Sequence, residues 1–343
     1  KGGVINPISV YPFPNFKAEQ TKSYELGTNL RLFNNKINID ATVYLTDTYN
    51  QTFLSSMSPA SGYSGFYVQA GKVRNKGIEL SLGYNDRFGK VGYATNLTYT
   101  ANRNKIMKMV HDYKNPSDGS LFSITELTLQ DKGGVYLREK DAIGDVYVKG
   151  ILARGKDGKL IEEEGGYKVD RSQRIKIGSV NPDFSIGWRH NVTWNNITLD
   201  LLFNGRFGGI VTSSTQAFLD DYGVSKDTYK ARQNGGVWVN GTQYDAEKYY
   251  TTIGGEQLMA YYAYKATNIR LQEASLSYTL PGKWFGNVIN RLTVSAIGRN
   301  LWMIYNKAPF DPEMTSSTGT YNRGDVFMPP SLRSVGFSVK IEL

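Results

Sequence analysis

The last nine residues of the chain alternate strictly between apolar and other side chains. Val335, Phe337, Val339, Ile341 and Leu343 are apolar, and the residues between them are polar or glycine. A period of two is that of a β-strand with one apolar and one polar face. Because soluble domains usually fray at their ends, alternation that reaches the last residue favours a closed membrane barrel, in which every strand edge is paired.

The same alternation recurs in eight further segments. Most are close to the roughly ten residues that a tilted strand needs to cross the hydrocarbon core of a bilayer. No apolar run is long enough for a transmembrane helix. The nine predicted strands are residues 22–33, 37–45, 78–84, 91–102, 184–194, 197–204, 274–280, 291–296 and 335–343.

Short and long connections alternate along this series. The short ones are residues 34–35, 86–89, 195–196 and 281–290, and the long ones are residues 50–72, 110–183, 208–266 and 306–331. Outer-membrane barrels have short periplasmic turns and long extracellular loops, so we expect the long segments outside the cell. Since a very long unstructured loop is unusual, we also expect a hairpin between residues 146–152 and 174–178.

The odd number of predicted strands indicates a barrel with more strands than these nine. Bacterial outer-membrane barrels close with an even number of antiparallel strands, whereas the first and last strands predicted here run in the same direction. We therefore expect an all-β fold in which the chain forms the carboxyl-terminal strands of a larger antiparallel barrel. The sequence opens on Lys1-Gly2-Gly3 without a signal peptide, so we expect the amino-terminal part to be missing or processed.

Composition agrees with a membrane barrel. The 343 residues include 24 tyrosines, 36 glycines and no cysteine. Tyrosine is favoured in strands and at membrane interfaces. Absence of cysteine excludes disulfides, thiolate metal sites and thiol nucleophiles. The net charge is +9, but no clustered basic stripe of the kind that nucleic-acid binding requires is visible along the sequence, so we expect no nucleic-acid partner.

No pattern predicts catalysis, a cofactor or a metal. His111 and His190 are the two histidines, and neither has a partner at the spacing of a metal site or a catalytic triad. Residues 155–159 lack the alternating oxygen ligands of a calcium loop. We expect a protein that is not an enzyme.

The candidate binding residues lie in the long segment 208–266. Trp238, Tyr244, Tyr249 and Tyr250 stand near glycine and asparagine residues. Exposed aromatic rings with polar neighbours can stack on sugars or peptides, but they can equally pack the loop onto itself or onto a partner. Asp220-Asp221 is a second candidate, either as a ligand-binding pair or as solvated loop residues.

Other aromatic residues lie at the two ends of the predicted strands. We expect those that face lipid to form girdles at the membrane interfaces. They are Phe88, Trp194, Trp284 and Phe285 at the short-turn end, and Tyr44, Tyr49, Tyr99, Trp302 and Tyr305 at the long-loop end.

Seven short motifs follow one another along the chain. They are Tyr24-Glu25-Leu26-Gly27, Asn75-Lys76-Gly77-Ile78-Glu79-Leu80, Asn181-Pro182-Asp183-Phe184, Asn268-Ile269-Arg270-Leu271, Ser275-Leu276-Ser277-Tyr278-Thr279-Leu280-Pro281, Gly298-Arg299-Asn300-Leu301 and Phe310-Asp311-Pro312-Glu313. This ordered set resembles the carboxyl-terminal part of the SusC/RagA-type TonB-dependent outer-membrane transporters of Bacteroidetes. The chain departs from that family in ending on Leu343, where an aromatic residue is usual.

The resemblance implies a barrel of about 22 strands with a plugged lumen. Residues 1–343 would be barrel only, with the plug domain and the TonB-contacting segment amino-terminal to them. It implies import of oligosaccharides or peptides driven by the TonB–ExbB–ExbD system, under a SusD-like surface lipoprotein. The protein would lie in the bacterial outer membrane in contact with lipid, and two transporter–lipoprotein pairs could associate as a dimer. Two alternatives stay open, namely a passive porin and a soluble glycan-binding β-sandwich.

Overall fold

The computed structural model describes residues 10–11, 16–56, 60, 62–114, 119–129, 135–286, 288–316 and 324–342. Nine strands form one antiparallel series in which each strand pairs with the strands before and after it, and the short strand Val10–Tyr11 adds a parallel pairing with Gly65 and Phe66. The nine strands are β1 (Gln20–Leu32), β2 (Ile37–Ser56), β3 (Gly65–Phe88), β4 (Val91–Lys108), β5 (Phe184–Trp194), β6 (Ile197–Phe207), β7 (Asn268–Pro281), β8 (Arg291–Asn306) and β9 (Ser334–Glu342). The strands and the order predicted from alternation are confirmed. Leu343 lies outside the described residues.

The strand register places the apolar positions on one face of the sheet. Val339 lies opposite Val294, which lies opposite Tyr278 on the next strand. Side chains on this face remain open to the surroundings, since Val43, Leu276 and Phe337 expose 47, 54 and 84% of their surface. A soluble sandwich would bury this face against a second sheet, so that alternative is wrong. Exposure of a continuous apolar face fits contact with lipid.

The opposite face of the sheet is polar, and its side chains pair between neighbouring strands. Arg189 of β5 and Asp200 of β6 approach to 3.0 Å. Arg299 of β8 and Glu273 of β7 approach to 2.9 Å. Polar side chains of this kind line the interior of outer-membrane barrels, and their cross-strand pairs add to the stability of the sheet.

The short connections use residues that tolerate left-handed backbone. Asn34 and Asn35 have φ values of 54° and 65°, and Asn195 has a φ of 50°. Asparagine adopts this conformation more readily than most residues, which suits tight hairpin turns. The connection after β7 contains a 3₁₀ helix, Gly282–Phe285.

A glycine in β3 makes room for an aromatic ring. Tyr44 of β2 lies opposite Gly77 of β3, and a Cβ atom at residue 77 would come within 2.4 Å of the Tyr44 hydroxyl. The ring of Tyr44 therefore lies on the polar face and takes no part in a lipid-facing girdle. Phe88, Trp194 and Trp302, by contrast, expose 59, 54 and 61% of their surface and belong by register to the apolar face.

The prediction that residues 50–72 form a loop is wrong for most of that segment. Strand β2 continues to Ser56, which pairs with Gly65 at the start of β3. The alternation stops near residue 50, but the backbone ladder of a hairpin needs no apolar face to continue. The hairpin expected within residues 110–183 is confirmed, since Asp145–Leu152 pairs with Val169–Ser179 and Lys149 lies opposite Arg174.

The long segments are folded rather than irregular. Three helices lie in residues 208–266, namely α1 (Ser214–Asp221), α2 (Lys226–Gln233) and α3 (Ala246–Gly255). None of the helices among the described residues is long and apolar enough to cross a bilayer. The remaining short strands are Val10–Tyr11, Val110–Lys114, Leu121–Ile124, Glu126–Thr128, Tyr136–Arg138, Glu162–Glu163, Gly166–Tyr167, Ile210–Ser213, Val237–Val239, Thr242–Tyr244, Ala263–Lys265 and Gly324–Asp325.

The two faces of β9 should respond differently to the same charged side chain. We expect Val339→Arg to destabilise the folded barrel by about 2–4 kcal/mol if the residue lies near the bilayer midplane, because the guanidinium would face hydrocarbon. Ser338→Arg is the matched control, and its side chain reaches the polar interior, so its effect should be mild. Urea unfolding of the full-length protein in lipid vesicles measures both. Equal losses at the two positions would contradict this orientation of β9.

Candidate functional site

Residues 208–266 fold into a helical unit, the outer unit, between the end of β6 and the start of β7. Each of its helices begins at a side chain that accepts a backbone N–H. Ser213 accepts from Gln216 at 2.9 Å and Ser225 accepts from Thr228 at 3.0 Å. Asp245 caps α3 in the same way. These caps satisfy backbone donors that would otherwise lack partners, and they fix where each helix starts.

Tyr244 lies inside the core of the outer unit. The side chain is 7% exposed and packs edge-on against Tyr167 at 5.6 Å between ring centroids. Its hydroxyl accepts a hydrogen bond from the backbone N–H of Leu160 at 3.0 Å. Because Tyr167 and Leu160 belong to the segment 110–183, Tyr244 joins two of the long segments. Its position matches the packing interpretation rather than ligand contact.

Tyr249 and Tyr250 of α3 are half-buried and in contact with each other. Their rings meet edge-on at 5.4 Å, and Tyr249 also meets Tyr261 at 6.4 Å. Burial raises the pKa of Tyr250 to about 12 and also raises the pKa of Tyr249. Both phenols therefore keep their protons at neutral pH and can donate hydrogen bonds.

The two neighbouring aspartates of α1 occupy different environments. Asp220 is 4% exposed and accepts a hydrogen bond from Gln216 at 3.0 Å. Burial raises the pKa of its carboxyl group. Asp221 is only partly buried.

A cavity of about 290 Å³ brings Asp220, Asp221 and Tyr250 together. Arg232 and Glu247 complete its charged lining. This volume is near the lower end of ligand pockets, which span roughly 300–1,000 Å³. The predicted aspartate pair and one predicted tyrosine thus share a single recess, whereas Trp238 and Tyr249 do not line it.

Trp238 is the most accessible of the predicted aromatic residues. It lies in a small hairpin opposite Gln243 and exposes 63% of its surface. The hairpin turns at Asn240-Gly241, where φ is 49° and 77°. An Asn-Gly pair is suited to such a turn, so the local sequence explains how the indole ring is presented.

A larger cavity, which no sequence pattern predicted, opens on the polar face of the sheet. It measures about 770 Å³ and draws its walls from β4 to β8 and from the segment 306–331. Its polar side chains offer hydroxyl, amide, carboxylate and guanidinium groups to a ligand. Those side chains include Thr98, Thr100, Ser185, Asn204, Arg206, Asn268, Arg270, Gln272, Asn300, Glu313 and Ser331.

A buried ion pair, the Arg270–Asp311 clamp, holds the described part of the segment 306–331 against this wall. The two side chains approach to 2.9 Å and are 9 and 7% exposed. Asn268 donates to the Glu313 carboxylate at 3.1 Å, and Ser331 donates to Asp311. The motifs at residues 268–271 and 310–313 meet here. Both motifs contribute to the family resemblance, and this was the only indication in the sequence that they matter. The motifs do not show which of their residues are in contact.

Protonation controls the strength of this clamp. Burial acts to raise the pKa of Asp311, but hydrogen bonds from Arg270 and Ser331 outweigh burial, so the pKa is lowered overall. A carboxyl group with a lower pKa in the folded than in the unfolded state stabilises the fold above the unfolded pKa. That contribution is lost as the pH falls through the lowered pKa of Asp311.

The histidines and acidic residues form no metal centre among the described residues, since no group of three or more His, Cys, Asp or Glu side chains could hold an ion there. His190 shares a hydrogen bond with Tyr93 at 2.9 Å, and His111 pairs with Glu139.

The chain is similar to known proteins in both sequence and structure. A family model described as TonB dependent receptor-like, beta-barrel matches residues 3–201. TonB-dependent receptor P3 of Formosa agariphila is 24% identical over 333 residues, which covers 90% of this chain and 32% of that protein. TonB-dependent receptor P39 of the same organism is 21% identical over 360 residues, covering 91% of this chain and 34% of the relative.

Solved structures of similar fold include the RagAB peptide importer. Its closed-closed state matches with a TM-score of 0.70 and 19% identity, over 94% of this chain and 35% of the other chain. Its open-open state matches with a TM-score of 0.70 and 18% identity, over 96% of this chain and 35% of the other. The chain therefore spans about a third of the length of the proteins that it matches.

Breaking the Arg270–Asp311 clamp should release the segment 306–331. Removing one partner of a buried pair leaves an uncompensated charge, so we expect Asp311→Ala to cost about 3–5 kcal/mol. The exposed pair of Arg103 and Asp183, at a similar distance of 3.0 Å, is the control, and Asp183→Ala should cost at most about 1 kcal/mol. Limited proteolysis of the full-length protein reports release of the segment. Equal protection in the two variants would show that the clamp does not hold it.

Proposed function

The chain belongs to the family of TonB-dependent receptor-like β-barrels of the bacterial outer membrane, and from that premise we propose that the complete protein imports an oligomeric nutrient. The nutrient would be an oligosaccharide or a peptide. Import would draw on the TonB–ExbB–ExbD system through a part of the protein outside residues 1–343. A SusD-like lipoprotein would close over the long segments, and transporter–lipoprotein pairs could form dimers.

The folded outer unit is the observation that carries this proposal. A diffusion pore gains nothing from about sixty residues that form three capped helices and share a hydrophobic core with the segment 110–183. A receptor that must capture a ligand before transport does gain, because a rigid unit can present binding groups in fixed positions. The outer unit presents the exposed ring of Trp238 and the recess that contains Asp220, Asp221 and Tyr250.

Each of these groups has a chemical role in the proposed capture. The indole of Trp238 would stack on a sugar ring or cover a peptide side chain. The partly exposed Asp221 would accept hydrogen bonds from hydroxyl or amide groups, and the protonated phenol of Tyr250 would donate one. Tyr244 and Tyr249 would act through packing, since both belong to the hydrophobic cluster of the outer unit.

The cavity on the polar face would receive the ligand after capture. Its volume of about 770 Å³ falls within the range for ligand sites, and its mixture of amides, hydroxyls and guanidinium groups suits either class of oligomer. The fold is shared with a peptide importer, which supports testing peptides first. The segment 306–331 would contact both ligand and lid from its position beside this cavity.

Replacing the exposed indole should weaken capture. We expect Trp238→Ala to reduce uptake of a labelled oligopeptide or oligosaccharide mixture by about twofold to tenfold, because a stacking contact contributes roughly 0.5–1.5 kcal/mol. Tyr229→Ala is the control, since Tyr229 is also exposed, at 58%, but has no role in the proposed capture. Uptake is measured in cells that express the full-length protein, together with copurification of the lid lipoprotein. Uptake at the wild-type level in the Trp238→Ala variant would show that Trp238 does not take part in ligand capture.

Energy dependence separates active import from a passive porin. We expect deletion of tonB, or collapse of the proton gradient, to abolish uptake while surface binding of the ligand persists. A porin admits solutes by diffusion, so its uptake would continue under both conditions. Accumulation of the labelled ligand, measured against cells that lack the receptor, decides between the two functions.

A further inference from the structure

Six basic side chains form a cluster on the apolar face of the sheet, at the end from which the long segments emerge. The cluster draws on β1, β3 and β4, so no run of basic residues marks it in the sequence. Strand pairing brings these residues together although they are dispersed along the sequence. The members of this basic cluster are Lys22, Lys72, Arg74, Lys76, Arg103 and Lys105.

Strand register shows how the basic cluster is assembled. Lys22 lies opposite Asp47, Asp47 lies opposite Arg74, and Arg74 lies opposite Lys105. These four residues make one row across four strands. The neighbouring row toward the short-turn end pairs Lys76 with Arg103.

The apolar band begins at the next row. Leu26 lies opposite Val43, Val43 opposite Ile78, and Ile78 opposite Ala101. Successive rows on one face are two residues apart along each strand, which is less than about 7 Å. The positive charges therefore stand directly beyond the edge of the lipid-facing surface, on the same side of the sheet.

Carboxylates neutralise only part of this charge. Asp47 lies 2.7 Å from the Lys72 ammonium and 2.6 Å from the Arg74 guanidinium, and Arg103 pairs with Asp183 at 3.0 Å. Lys22, Lys76 and Lys105 are exposed, and no carboxylate is recorded within ion-pair distance of them among the described residues. The cluster thus retains an excess of positive charge that faces outward rather than into the barrel.

We propose that the basic cluster binds the phosphate groups of the phosphorylated saccharolipid, lipid A, that forms the outer leaflet of the outer membrane. Clusters of four to eight Lys and Arg residues beside a membrane attract anionic lipid head groups. Here the phosphates would lie on Lys22, Lys76 and Lys105. The acyl chains would lie along the apolar rows that contain Leu26 and Ile78. A lipid can contact the basic cluster with its phosphates and the apolar rows with its acyl chains, whereas a free anion can contact only the basic cluster.

This inference goes beyond nutrient import, because it depends only on the orientation of the sheet in the outer membrane. The binding site faces the bilayer, and neither the outer unit nor the cavity on the polar face takes part. A failure of lipid binding would therefore leave the proposed import untouched, and the reverse also holds.

Charge removal at the two ends of the sheet tests the proposal. The full-length protein would be compared as wild type, as Lys76→Gln/Lys105→Gln, and as the control Lys90→Gln/Lys283→Gln. Lys90 and Lys283 are exposed residues at the short-turn end, so both doubles remove the same charge. We expect the dissociation constant for diphosphorylated lipid A in detergent micelles to rise by roughly thirtyfold in the first variant and to stay within about twofold of wild type in the control.

Further probes identify the part of the lipid that is recognised. Loss of affinity for lipid A without phosphates, and binding that weakens as salt rises, would support the proposal. Inorganic phosphate that binds as tightly as lipid A would overturn it, as would equal affinity in the two doubles. Retained lipid A binding with a changed oligomeric state would also overturn it and assign the cluster to a protein contact. Lys22→Gln, on a different strand, is the second variant should the first fail to assemble.

Discussion

Inside a bilayer, every backbone N–H and C=O must find its partner within the protein, because lipid offers none. The nine-stranded sheet meets this constraint by ladder pairing along its whole length. Among the described residues, its two outermost strands, β1 and β9, pair along one edge only, and in lipid the other edge needs a further strand. That requirement agrees with a chain that spans about a third of the proteins it matches. The rest of the barrel would supply the neighbours.

The same constraint explains which parts of the fold could be predicted. A strand between lipid and a polar interior must alternate, so the alternation predicted nine strands in the correct order. Outside the membrane, water can form hydrogen bonds with the backbone, so the side chains of a strand need not alternate between apolar and polar. Strand β2 therefore runs to Ser56 without an alternating signal, and α1 to α3 were not predicted. Ser213, Ser225 and Asp245 cap these helices, and only the folded segment shows which backbone donors they satisfy.

Site residues were harder to predict than strands, because contacts between distant positions decide their roles. Tyr244 and Trp238 have similar sequence surroundings, yet one is buried against Tyr167 and the other is exposed. Arg270 and Asp311 meet across 41 positions of sequence. The basic cluster likewise exists only through the register of β1 to β4. Composition could indicate that aromatic and charged groups were available, but not which of them would face a ligand, a core or the membrane.

The Tyr44–Gly77 pair has a consequence for how the sheet assembles. A slip of one residue between strands would exchange the apolar and polar faces and is costly. A slip of two residues preserves both faces, so hydrophobicity cannot reject it. Such a slip would replace Gly77 opposite Tyr44 by Asn75 or Glu79, whose side chains would occupy the space of the aromatic ring. The fit of Tyr44 against Gly77 thus selects one strand register among those that keep the apolar face toward lipid.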